Sequence, residues 1–172
     1  LLVGDVEQLP CYFGSHSHSA TDLYYAEMDG GGDLFADIHI GRFSARSTDG
    51  VAHLVRKTID YTLFEMGTGT DWVQRATFMA SVDNNHISEG THNYCIETHL
   101  DGAGYTTERR FQVTYGATTE QVLDDIDAGL SMLTFSGHGY EYGWGDGPPV
   151  DQGDVYGLVN DEMFPFVQSY AC

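Results

Sequence analysis

Basic residues are scarce in this chain. Lys and Arg together number 7 against 26 Asp and Glu, a formal charge of -19 over 172 residues. A field of that sign repels phosphate backbones and anionic lipid, which excludes nucleic acid and acidic membranes as partners. It would attract cationic partners, including basic peptide segments and calcium; a solvated surface that resists aggregation is the plainer reading of the same surplus. Cysteine is scarce as well. Cys11, Cys95 and Cys172 form neither a paired framework nor a zinc-ligand spacing, and if two of them paired one thiol would remain. No apolar run reaches the length of a membrane span, and no signal peptide precedes the first strand. The opening LLVGD reads as a strand already under way and the chain closes on Cys172. The expectation is therefore a segment of a longer polypeptide, with the fold incomplete at both ends.

What is present argues for a folded body: 41% hydrophobic and 13% aromatic residues, in a length that suits one domain or part of a larger one. Leu1-Leu2-Val3 reads as a short buried strand. After a polar loop, Ala36 to Phe43 alternates and predicts a second strand. With Ser47 or Thr48 as cap, Val51, Leu54, Val55, Thr58 and Thr62 recur at helical spacing, predicting a helix to about Leu63; His53 on it reads as a surface or core-edge residue. Arg75 to Val82 predicts a strand ending at Asp83-Asn84-Asn85, and Thr91 to Leu100 a helix with Cys95 toward its buried face. Arg109 to Tyr115 predicts another strand. Thr118-Thr119-Glu120-Gln121 has the capping-box pattern ahead of Val122, Leu123 and Ile126, with Gly129 as the stop. Leu130 to Phe135 and Phe164 to Tyr170 complete the strands. Strands alternating with helices predict an α/β three-layer sandwich around a mostly parallel sheet. The expected division is 1–66, the end of a first α/β subdomain, and 67–172, the first part of a second.

Two features invite a metal reading and carry little. His16 and His18 share a face of an extended chain but have no third ligand nearby. Asp29-Gly-Gly-Gly-Asp33 is a flexible acidic loop without the spacing of a known calcium loop.

The chemistry gathers near the end, in LTFSGHGYEYGWG from Leu133 to Gly145. There a buried strand stops and His138 stands between Gly137 and Gly139, where glycine lets a backbone come close to whatever binds. The next strand ends at Ala171-Cys172. Two consecutive strands thus end in reactive residue types, and consecutive strands usually neighbour one another. A partly ionised thiol is a competent nucleophile and an adjacent imidazole can protonate a departing amine. Spacing alone leaves open a turn histidine and a buried structural cysteine.

The series LLVGD, DLYYAEMDG, IHIGRFSA, FMAS, TFSGHGYEYGWG and FPFVQSYAC resembles the gingipain-type cysteine peptidases, of the clan with the caspase-like fold. The resemblance runs in order through nearly the whole chain and is most specific at GHG-x-E-x-x-WG and the closing Ala-Cys. It implies Cys172 as nucleophile, His138 as general acid-base, and the N–H groups of Gly139 and Cys172 as the oxyanion hole. It implies that Asp83, where the family has a glutamate, orients His138 with one methylene less. Trp144 matches an aromatic beside the substrate cleft, and Glu89 is the nearest acidic candidate for receiving a basic substrate side chain. The implied protein is a secreted or cell-surface bacterial endopeptidase cleaving after Arg or Lys, needing no cofactor for catalysis, with structural calcium sites whose ligands are unassigned. Its implied partners are a peptide or protein substrate, and the rest of the polypeptide or a partner chain completing the sheet. Two further readings stand beside it: a catalytically silent peptidase-like module serving as an interaction or secretion scaffold, and, on charge alone, a calcium-dependent adhesive domain.

Overall fold

The computed structural model describes residues 1–14, 20–29, 35–63, 69–160 and 162–171. The chain divides into two units, Leu1–Glu65 and Met66–Cys172.

In the first unit, β1 (Leu2–Val3) pairs in parallel with β4 (Arg42–Phe43), and β2 (Tyr12–Phe13) pairs antiparallel with β3 (Ala20–Thr21). Such short pairings need help, and Arg42 supplies it. Its guanidinium donates to both carboxylate oxygens of Asp22, at 2.7 and 2.6 Å, and to the carbonyls of Gly4 and Leu9 at 2.8 and 2.9 Å. This two-pronged bond holds the Asp22 carboxyl below its usual pKa. Helix α1 (Thr48–Leu63) starts where the spacing places it, with Ser47 as cap: its hydroxyl accepts the Gly50 N–H at 3.1 Å.

Two expectations for this unit are corrected. The strand expected from Ala36 to Phe43 shrinks to Arg42–Phe43. Asp37 folds back instead, its N–H donating to Ala26 and its carboxylate accepting from the amides of Met28 and Asp29, which turns the chain where alternation implied extension. The first strand is also not buried, since Val3 is exposed. His16, His18 and most of the Asp29–Asp33 loop lie outside the described residues.

The second unit is built on four parallel strands in the order β11-β7-β5-β6: β5 (Arg75–Ala80), β6 (Thr106–Phe111), β7 (Met132–Ser136) and β11 (Phe166–Tyr170). Strand alternation assigns the faces. Ala76, Phe78 and Ala80 point to one side, where they join Ile96 and Phe111 in a buried cluster beneath α2 (Asn85–Cys95) and its continuation, a π-helical turn over Ile96–Leu100. Thr77 and Met79 point to the other, toward α4 (Thr119–Asp127), where Met79, Leu133 and Phe135 pack on Val122 and Ile126. Helices on both faces give the expected three layers. Each large apolar side chain buried this way contributes about 2 kcal/mol.

The capping box forms as read from the sequence: Thr118 Oγ1 accepts the Gln121 N–H, and Gln121 Oε1 accepts the Thr118 N–H. Helix α2 begins six residues before the expected Thr91, because its buried face carries Glu89 and His92 and so shows no apolar period. The strand expected over Arg109 to Tyr115 is displaced toward the N-terminus, and Gln112–Tyr115 is instead a helical turn, α3. A feature the sequence did not announce is a small antiparallel sheet, β8 (Gly139–Tyr140), β9 (Gly143–Trp144) and β10 (Val150–Asp151), followed by the short helix α5 (Gln152–Tyr156).

Candidate active site

The strand order has a consequence for where chemistry can occur. After β5 the chain adds β6 on one side, then crosses to place β7 on the other side of β5. In open parallel sheets such a reversal leaves a crevice beyond the carboxyl ends of the two strands, which is where ligands bind. Asp83 follows the end of β5 and His138 follows the end of β7. Both side chains stand at that crevice, and they meet: His138 Nε2 lies 3.0 Å from Asp83 Oδ2.

The Ser81 hydroxyl donates to the other Asp83 oxygen, Oδ1. Ser81 itself is fixed by its N–H bond to the Ser136 carbonyl at 2.8 Å, across the two strand ends. The Ser81 and His138 bonds together lower the Asp83 pKa, and the hydrogen bond and charge of Asp83 raise that of His138. Both groups are open to solvent, with side-chain exposures of 63% for His138 and 54% for Asp83. The pair therefore matters for its orientation more than for stability. With Nε2 engaged by Asp83, Nδ1 is the nitrogen left to work on a substrate.

Gly137 sits where any side chain would collide: a Cβ would lie 2.7 Å from Phe135 Cζ and 3.1 Å from both the Asp146 carbonyl oxygen and Ser81 Cβ. Its N–H donates to the Tyr170 carbonyl at 3.1 Å, tying the exit of β7 to the exit of β11. Ser136 and Tyr170 are register partners, and His138 and Cys172 each follow their partner by two positions. Cys172 lies outside the described residues. Gly139 pairs with Trp144 in the small sheet. Trp144 stacks on the buried Phe135 ring, centroids 4.7 Å apart, and its indole N–H donates to Ser169 on β11 at 2.9 Å. The aromatic expected beside the cleft is thus anchored at both its face and its edge.

Glu89 is placed differently. It is 7% exposed, one carboxylate oxygen accepts from the Thr114 hydroxyl, and the other is buried with no hydrogen-bond partner among the described residues. Its carboxylate is turned into the interior and not onto an open surface. Cys11 and Cys95 are free thiols, Cys95 packing beside the cluster under α2. The residue that sequence reasoning missed is Asp146. It forms with Asp83 and His138 the one group of three potential metal ligands among the described residues, each offering an atom within 4.8 Å of the others. A set containing an imidazole nitrogen does not suit calcium, which takes oxygen ligands throughout.

Comparison with known proteins settles the family. The model of peptidase family C25 matches residues 1–172. This chain belongs to peptidase family C25. Gingipain R2 of Porphyromonas gingivalis is 29% identical over the whole chain, which corresponds to 23% of that relative's length. Lys-gingipain of the same species is 25% identical over 95% of the chain and 9% of its own length. The crystal structure of the Arg-specific cysteine proteinase gingipain R superposes with a TM-score of 0.78 at 27% identity, covering 99% of this chain and 39% of that one. The complex of the RgpB pro- and mature domains gives 0.79 at 28% identity. This C25 chain therefore has the gingipain-type α/β fold the sequence led us to expect, and it spans about a quarter or less of the curated relatives it matches.

Proposed function

We propose that the full-length protein is a cysteine endopeptidase that works through Cys172 and His138. The observation that carries this reading is the His138–Asp83 contact at 3.0 Å, at the point where the strand order reverses. In the proposed cycle the Cys172 thiolate attacks the scissile carbonyl. The N–H groups of Gly139 and Cys172 stabilise the oxyanion. The imidazolium of His138 gives its Nδ1 proton to the departing amine, leaving an acyl-enzyme; His138 then takes a proton from water, whose oxygen attacks the acyl carbon, releasing the acid and restoring the thiolate and imidazolium. Asp83 holds the ring by accepting from Nε2–H, and Trp144 walls the cleft.

Cleavage after Arg or Lys is the favoured specificity, since the relatives include an Arg-specific gingipain and a Lys-gingipain and the acidic surplus of the chain draws basic segments. Secretion or surface attachment suits an enzyme of this kind, and no helix among the described residues is long and apolar enough to cross a membrane. Structural calcium, with ligands elsewhere than the His138 cluster, belongs to the same reading.

The test is hydrolysis of a peptide panel varying the residue before the scissile bond, under reducing conditions with calcium present. Cleavage lost in Cys172→Ala supports the proposal. A wild-type protein that cleaves nothing while binding a partner normally would establish the silent scaffold instead. Glu89→Gln reads the specificity: a reduced Arg/Lys preference assigns Glu89 to the pocket, and a lowered melting temperature with unchanged preference assigns it to the interior.

A further inference from the structure

We propose that Asp146 is a positioning residue of the same site, a second carboxylate that holds the His138 imidazolium in place together with Asp83. The inference rests on His138 being the acid-base group.

Asp146 is fixed from several directions. Its Oδ1 accepts the Val82 N–H at 3.3 Å, on the segment that leads from β5 to Asp83. On one side of it, the Gly145 N–H donates to the His138 carbonyl at 2.9 Å, so the β8–β9 hairpin returns the chain to the histidine. On the other side, Gly147 has φ +95° and approaches the end of β5 so closely that a Cβ would lie 2.6 Å from the Ala80 carbonyl oxygen. Pro148 beyond it is fully buried. Position 146 is thus braced against both strands whose exits form the crevice.

Its other oxygen, Oδ2, is buried and receives no hydrogen bond from the described residues. A carboxylate oxygen out of water with no N–H or O–H donor needs a charge to offset it. The Asp146 and Asp83 carboxyls lie against each other as well. The cation these two acids share among the described residues is the imidazolium, since the ligand atoms of Asp146, Asp83 and His138 all lie within 4.8 Å of one another. The charge of Asp146 acts on His138 in the same sense as that of Asp83, favouring the protonated ring. These two are the described charged groups that act on it. Asp83 is tied on its far side to Ser81 and reaches the ring with a short side chain. A second anion on a rigid hairpin keeps the imidazole from swinging off a single contact.

The experiment uses the full-length protein, with kcat, KM and the pH profile of kcat/KM for wild type, Asp146→Asn, Asp146→Glu, His138→Ala and Cys172→Ala, and melting temperatures to show that each folds. Asp146→Asn should lower kcat about tenfold with KM within about twofold, and move the alkaline limb of the profile to lower pH. Asp146→Glu, which keeps the charge, should recover most of the limb. EDTA should act on wild type and Asp146→Asn alike. An Asp146→Asn enzyme with wild-type kcat and profile would overturn the proposal while inactive His138→Ala and Cys172→Ala variants left the catalytic reading standing. Full activity in those two variants would remove the catalytic reading itself, and this proposal with it. Wild-type activity that rose on chelation, with Asp146→Asn insensitive, would make the trio a cation site and also overturn it.

Discussion

Ser136 and Tyr170 face each other at the carboxyl ends of parallel neighbours β7 and β11, and the Gly137 N–H bonds the Tyr170 carbonyl. The two strands therefore end level. In the sequence, equal steps of two residues beyond that pair reach His138 after the one strand and Cys172 after the other. The expected outcome is that His138→Ala costs about 10²- to 10⁴-fold in kcat, the range for a general acid-base. Cys172→Ala should remove turnover altogether. The double variant should be no worse than Cys172→Ala, because groups acting as a unit do not contribute additively. Steady-state kinetics on one basic peptide substrate decides it.

The Asp83–His138 contact also predicts a pH dependence. Asp83 raises the imidazole pKa above its ordinary value, so the ring stays protonated to a higher pH than a free histidine would. General-acid activity is present while the ring holds its proton and is lost as pH rises through the raised value. Asp83→Asn removes the anion, so the alkaline limb should move to lower pH. It should also lower kcat, by less than His138→Ala does, since the asparagine carbonyl can still accept from Nε2–H. A limb that stays in place would mean that Asp83 has no hold on the ring in solution.

Part of the site is legible in the sequence. GHG between a buried strand and a turn pointed to His138 because local crowding at Gly137 leaves a trace in residue type. Asp83 was visible as the exit of a strand. Asp146 was not, for it sits in GDGPP, which reads as any polar turn; only the return of the β8–β9 hairpin to His138 gives it a role. The signal available was an acidic residue between two glycines shortly after a candidate acid-base group. The fold divides in the same way. Helices α1 and α4 announced themselves through spacing and caps, whereas α2 hid its start because Glu89 and His92 occupy its buried face. The strand order, which places the crevice, has no signature in any local pattern.

His92 is the second histidine with a pH consequence, this time for stability. It is 3% exposed, sits between the rings of Phe78 and Phe111, and its Nε2 lies 3.0 Å from the Met79 carbonyl oxygen. Burial lowers its pKa, although the Met79 contact works the other way. A lowered folded-state value means the unfolded chain binds the proton first, so stability should fall as pH drops below about 6.5 and level off below the folded value. His92→Gln keeps a donor for Met79 without a titrating group. Its melting temperature should be lower at neutral pH, from lost packing, but should decline less than wild type between pH 7 and pH 5. Parallel curves for the two proteins would remove His92 from the acid response.

The last prediction concerns the scaffold under the site. Asp125 on α4 is 6% exposed and accepts from Arg110 of β6 at 2.6 and 2.7 Å and from Thr77 Oγ1 of β5 at 3.0 Å, joining a helix to two strands. Removing one partner of a buried ion pair strands the other charge out of water, which costs about 3–5 kcal/mol when burial is complete. The Arg110 side chain keeps 21% exposure, so Asp125→Ala should cost nearer the lower end, about 3 kcal/mol. Replacing both by apolar residues, Arg110→Met with Asp125→Leu, should recover part of that loss, because no charge is then left buried and unpaired. Glu108, which also contacts Arg110 at 3.2 Å, is 40% exposed and turns to water, while the buried Thr77 hydroxyl still lacks its acceptor. Urea denaturation of the three proteins measures this. A double variant as unstable as Asp125→Ala would show that the pair contributes attraction well beyond its desolvation cost.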